Sequence, residues 1–155
     1  MRLRLALFFA TAFAGLPSAP AGAAYPYTEG LVRDCANHAR RAHGLRPLAR
    51  SVALDRAARL HARNMARYRF FAHQDPFGRG PAQRAALFDP ARRLVAVGEN
   101  IAFGFTTAGA ACSGWLASPD HRANLLDPRY TSIGAGVWLG SRRAPYYVQD
   151  FAIAR

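Results

Sequence analysis

The order of two periodicities constrains this chain most. From Thr28 to Arg69 apolar residues recur at helical steps of three and four, whereas Ser132 to Leu139 and Pro145 to Ile153 are β-like segments around Gly140-Ser-Arg-Arg143. A helical first half and a closing antiparallel hairpin do not suit an alternating strand-helix parallel sheet. They predict an α+β layered domain.

Local signals fill in the elements. Thr28 is a candidate cap for a helix to His43, ended by Gly44, with Leu31, Cys35, His38 and Ala42 on one stripe. Pro47 and Leu48 read as a connector. Ser51 caps the longest helix, to about Arg69, with Leu54, Ala58, His61, Met65 and Tyr68 on its apolar stripe, so His61 reads as a core histidine. His73 to Gly80 is a turn-rich loop, Pro81 to Phe88 a short helix, and Leu94 to Ala102 a strand interrupted by Gly98. Thr106 or Thr107 starts a helix through Cys112 to Ala117. Ser118-Pro119-Asp120 then starts another, with Ser118 read as a cap whose oxygen backbone amides occupy.

Residues 1–24 read as a secretory signal peptide: Met1-Arg-Leu-Arg4, an apolar run from Leu5 to Leu16 too short to span a bilayer, and small residues up to Ala24. The mature part, 25–155, is one domain, with no further apolar stretch able to cross a membrane. The expected location is the periplasm or outside the cell. All 21 basic residues are arginine, and the formal net charge is +12. That excess favours anionic surfaces such as envelope polymers. Arg56, Arg59, Arg63, Arg67 and Arg69 lack the aromatic interleaving of a nucleic-acid platform, so they read as a solvated helix face and no nucleic acid is expected as partner. Cys35 and Cys112 form an even pair in an exported chain, which allows a disulfide; two thiols packed on helical core faces fit the same positions.

The candidate site draws on three separate segments. His73 follows Phe70-Phe-Ala, Glu99 lies in Gly98-Glu-Asn-Ile101, and His121 lies in Trp115-Leu-Ala-Ser-Pro-Asp-His-Arg-Ala-Asn-Leu125. Two imidazoles and a carboxylate are the donor types a zinc-like ion takes, which makes His73, Glu99 and His121 a candidate metal set, with Glu99 either a ligand or the general base but not easily both. Asn100 and Asn124 read as bracing amides. The glycine before Glu99 signals close approach of the backbone to a neighbour. A glycosidase needs two carboxylates across a bond. Asp75 and Asp150 are the least implausible partners for Glu99.

Together these motifs carry a resemblance. Phe71-Ala-His73, Gly98-Glu-Asn-Ile-Ala102, Trp115 with Ser118-Pro-Asp-His-Arg-Ala-Asn-Leu125, Ile133-Gly-Ala-Gly136 and Tyr146-Tyr-Val-Gln-Asp-Phe151 resemble, in order, the bacterial branch of the CAP superfamily. The resemblance implies a three-layer α-β-α sandwich with a central, mainly antiparallel sheet. It also implies a cleft lined by two histidines and two acids. His73, Glu99 and His121 match three of those positions, and Ser118 stands at the fourth, where animal members carry an acid.

The expected function is therefore a non-enzymatic, exported binding module. Its His73/Glu99/His121 cleft, supported by Asn100, Ser118 and Asn124, would take a small apolar ligand such as a lipid, or an envelope component, with a weakly held divalent metal as the only cofactor. A metal-dependent, peptidase-like hydrolase using the same cleft is the alternative reading. A basic adhesive protein for anionic envelope polymers is the third.

Overall fold

The computed structural model describes residues 25–91, 93–140 and 143–154. Residues 1–24, where a signal peptide is expected, and the centre of the 140–143 turn lie outside the described residues. Among the described residues five helices and four strands follow in order: α1 (Pro26–Ala42), β1 (Ala49–Arg50), α2 (Val52–Tyr68), α3 (Pro81–Ala86), β2 (Leu94–Phe103), α4 (Ala108–Ala117), α5 (Pro119–Leu126), β3 (Ser132–Leu139) and β4 (Pro145–Ala154).

Most boundaries follow from their end signals. The Ser51 hydroxyl accepts the Leu54 amide at 3.4 Å, and that of Thr107 accepts Ala110 at 3.1 Å. Helix α1 starts two residues before Thr28, because Pro26 has no N–H to lose in a first turn. Its buried stripe is also rotated by one residue from expectation. Val32, Ala36, Ala39 and Arg40 are buried, while Leu31 is exposed. Strand β1 directly follows the expected connector and has no counterpart in the sequence reading. It is two residues long and pairs parallel with β3, Ala49 donating to the Thr131 carbonyl at 3.0 Å.

The sheet order is β1-β3-β4-β2, with both pairings of β4 antiparallel, so β2 is an edge strand. Alternation along the strands makes three layers. Ile133, Ala135 and Val137 point into a core with Val32, Ala36 and Trp115, from α1 and α4. On the opposite face Val148 and Ala152 pack against Ala58, Ala62 and Leu54 of α2. Gly134 and Gly136 share that second face. A Cβ on either would overlap the α2 backbone, at Leu54–Asp55 and Ala58–Arg59 respectively. Gly136→Ala should therefore lower stability by about 2 kcal/mol through overpacking. Urea unfolding measures this, and an unchanged midpoint would contradict the close helix-sheet contact.

Buried charges tie the layers together. Asp55 is fully buried and accepts from Arg33 Nη1 (2.8 Å), the Ala135 amide (2.9 Å) and Arg50 Nε (2.7 Å). Arg59 grips the buried Glu29 of α1 through Nε and Nη2. It is thus a half-buried ion-pair member, whereas Arg56, Arg63, Arg67 and Arg69 are exposed as expected. Arg40, itself buried, donates to the carbonyls of Leu125 (3.0 Å) and Asp127 (2.9 Å) and so satisfies the end of α5. Cys35 of α1 and Cys112 of α4 are bridged, with Cα atoms 6.3 Å apart. That resolves the choice left open by the sequence.

Candidate functional site

The site forms where the sheet ends at β2. The β2–β4 register shifts between Val95 and Gly98, and Ala96 takes a left-handed φ of 51°. This irregularity brings Gly98 against Tyr130, whose hydroxyl occupies the place a Cβ would need. The close approach expected before Glu99 is therefore to a tyrosine. Past the shift, Glu99 lies directly opposite Asp150, so the two side chains share the sheet face that α2 covers.

Glu99 is buried and both its oxygens are engaged. Oε1 is bonded to His73 Nδ1 at 2.8 Å and lies 3.7 Å from His61 Nε2. Oε2 accepts Arg84 Nη2 at 2.5 Å. Arg84 is fully buried on α3, and its Nη1 also donates to the carbonyls of His73 (2.8 Å) and Arg79 (2.7 Å). One guanidinium therefore holds both the carboxylate and the loop that presents His73. His61 is a core histidine as expected, its Nε2 bonded to the Ala72 carbonyl at 2.9 Å. It nevertheless forms the back wall behind Glu99, which the periodicity did not show.

His121 arrives from the opposite layer, on α5. Its Nδ1 is bonded to Ser118 Oγ at 2.8 Å. Ser118 is the N-cap of α5, but no backbone amide occupies its side chain, contrary to expectation. Its carbonyl accepts Arg122 N at 2.8 Å, and the hydroxyl turns to the imidazole three residues on. Asn100 and Asn124 are the bracing amides expected. Asn100 Nδ2 donates to the His121 carbonyl (3.0 Å), and Asn124 Nδ2 to the Glu99 carbonyl (3.2 Å) and Asn100 Oδ1 (3.0 Å). Trp115 Nε1 donates to the Ile101 carbonyl at 3.0 Å. Helices α4 and α5 are thereby pinned along the strand that carries Glu99.

The two cleft histidines differ in character. The hydrogen bond to Glu99 raises the pKa of His73, although its side chain is 54% exposed. Burial lowers that of His121, and a positive His73 lowers it further. Burial likewise lowers His61. The arrangement favours one charged imidazole, at His73, beside one neutral imidazole.

Sequence reasoning missed Arg84 and gave Asp150 only a weak role. Asp150 is fully buried, and neither carboxyl oxygen has a hydrogen-bond partner among the described residues. Burial first, and the negative charge of Glu99 second, push its pKa well above the aspartate range. Glu99 and Asp150 are thus neighbours beneath a helix. This is not the pair flanking a substrate that glycoside hydrolysis needs.

The same geometry bears on the metal set. One Glu99 oxygen is committed to His73 and the other to the Arg84 guanidinium. Among the described residues no group of three or more His, Cys, Asp or Glu side chains is placed to hold an ion. As placed, these residues do not fit a three-ligand metal centre.

Beside His121 the cleft becomes apolar. Phe71, Ile101, Phe103, Phe105 and Trp115 line a groove of about 390 Å³ that also reaches Ser118 and His121. Phe71 and Phe103 are 51% and 47% exposed, and Phe103 packs on Tyr146 with centroids 4.4 Å apart. Gly114 makes room for the Phe105 ring, which comes within 2.8 Å of where a Cβ would stand.

A three-layer sandwich whose edge strand carries Glu99 bonded to His73, with His121 presented from the opposite layer, fits the CAP-type arrangement that the sequence resemblance implied. The chain belongs to that family: residues 33–151 match CAP, the Cysteine-rich secretory protein family. It is 34% identical to YkwD of Bacillus subtilis (strain 168) over 108 residues, which are 70% of this chain and 41% of YkwD. A Bacillus anthracis (strain Ames) extracellular protein containing an SCP domain superposes with a TM-score of 0.72 at 30% identity, covering 81% of this chain and 40% of that one. An outer surface protein from Borrelia burgdorferi superposes with a TM-score of 0.77 at 20% identity, covering 86% and 99%. The chain thus spans about two fifths of the two Bacillus proteins. Among the described residues no helix is long and apolar enough to cross a membrane.

Proposed function

We propose that this chain is an exported binding module that takes a small apolar ligand in the groove at the sheet edge. One observation carries the reading. A groove walled by half-exposed phenylalanines ends on a polar pair, His121 and Ser118. Phenylalanines at that exposure lose contact with water when a ligand covers them, which favours binding by about 25 cal/mol per Å² of apolar surface. The polar end suits a hydroxyl or carbonyl on the ligand. Export is supported by the N-terminal segment and by the extracellular description of the Bacillus anthracis relative.

The hydrolase reading is less well supported. A general base must reach the proton it takes, and Glu99 is buried under α2 and held by Arg84 and His73.

The test uses Nile red, a neutral probe, so that the arginine excess does not decide the outcome. Saturable binding, displaced by long-chain alcohols and weakened about tenfold by the Phe103→Ala and Phe105→Ala double substitution, is expected. Equal binding by parent and double variant would overturn the proposal. Cleavage of peptide substrates that disappears in Glu99→Gln would put the hydrolase in its place.

A further inference from the structure

We propose that a second groove, between α2 and the end of β3, binds a phosphate ester. It shares no lining residue with the apolar cleft. Arg56, Arg59 and Arg63 stand at steps of three and four along one stripe of α2, spanning about 10 Å of helix axis. Leu60 lies between them, and Phe88 and Trp138 complete a groove of about 390 Å³.

Three features select an anion with an organic part. First, Arg56 and Arg63 are exposed and take part in none of the ion pairs formed among the described residues. Second, Arg59 is held in place by Glu29 through Nε and Nη2, which leaves Nη1 as a positioned donor. Third, nearby carboxylates are turned elsewhere. Glu29 is fully buried on Arg59, Asp55 is fully buried on Arg33, Arg50 and Ala135, and Asp89 accepts the Leu94 amide at 2.7 Å.

Guanidinium forks match the oxygen geometry of phosphate and bind it bidentately. Inorganic phosphate would leave Trp138 and Phe88 uncovered. A phosphate mono- or diester places its oxygens on the arginines and its carbon skeleton on the rings. Both a lipid headgroup and a free phosphorylated polyol carry that chemistry.

Trp138 supplies the readout. The chain has two tryptophans; the other, Trp115, is only 2% exposed and lines the apolar cleft, so the Phe103→Ala variant reports any contribution from it. Tryptophan emission is followed while glycerol 3-phosphate, inorganic phosphate and dihexanoyl phosphatidylglycerol below its micellar concentration are added at physiological salt. Sedimentation with phosphatidylglycerol or phosphatidylcholine vesicles is run in parallel.

A saturable change with an ester, about tenfold tighter than with inorganic phosphate, is expected. The Arg56→Ala and Arg63→Ala double variant should lose about tenfold in affinity, and its fold is checked by circular dichroism. Arg41→Ala with Arg46→Ala removes the same charge from exposed positions elsewhere and should leave the affinity within about twofold. Phe103→Ala should not change it, which separates this groove from the apolar cleft. Vesicle binding lost in the Arg56 and Arg63 variant assigns the ester to a lipid headgroup. Ester binding without vesicle binding assigns it to a free solute. No saturable emission change with any ester, or equal losses in the two double variants, overturns the proposal.

Discussion

Glu99→Ala should lower stability by about 3–5 kcal/mol, because it strands Arg84 as an unpaired cation in a fully buried position. Urea unfolding at neutral pH gives the number, and a loss under about 1 kcal/mol would mean that water reaches Arg84. The same experiment has an arm of opposite sign. Asp150→Asn should gain about 1–2 kcal/mol at pH 7, since an amide beside Glu99 can donate a hydrogen bond and need not be kept protonated. Its dependence on pH follows from linkage. The folded-state pKa of Asp150 is raised, so the cost it imposes is absent below the ordinary aspartate pKa and appears as pH climbs. The gain from Asp150→Asn should therefore fade towards pH 4, and a gain independent of pH would assign it to packing instead. His73 contributes in a different window. Its raised pKa supplies stability that is fully present below the ordinary histidine value and is lost as pH rises through the higher folded value. His61 and His121 are lowered, so their protonation withdraws stability as pH falls below about 6.5.

Replacing both Cys35 and Cys112 by alanine should cost about 4 kcal/mol, from the entropy released to the unfolded chain when a closure spanning 77 residues is removed. The bridge joins α1 to α4 within one layer, while the second layer and the sheet keep their own contacts. The double variant should therefore remain folded at room temperature, with a lower unfolding midpoint and an unchanged far-ultraviolet spectrum. A loss below about 1 kcal/mol would show that the unfolded chain already holds these helices near one another.

These expectations depend on contacts that the sequence showed to different depths. Helices α2 and α5 were legible because Ser51, Pro119 and Asp120 are strong local signals. Gly98 was legible as a close approach because a missing side chain inside a strand, next to a site residue, marks backbone pressed against a neighbour. Arg84 was not, since one arginine among 21 carries no mark of burial when the carboxylate it serves lies on another element. Asp150 could be suspected only as a spare acid. Its place opposite Glu99 depends on register, which β2 shifts at Ala96. Ser118 misled in the opposite direction. A serine before proline is a cap by statistics, and a cap it is by backbone, but its side chain serves His121. Strand β1, at two residues, is too short to leave a periodic trace.

The bonds that frame the cleft also guard the molecule's open flank. A terminal strand offers outward carbonyls to any passing extended chain, which is how soluble domains seed cross-strand polymers. On β2 two of those carbonyls, at Glu99 and Ile101, are already taken by Asn124 and Trp115, from helices folded across the edge. The strand that presents the glutamate thus has the middle of its outer edge occupied, and a chain that loosened α4 and α5 would uncover its ligand groove and a template for self-association at the same moment.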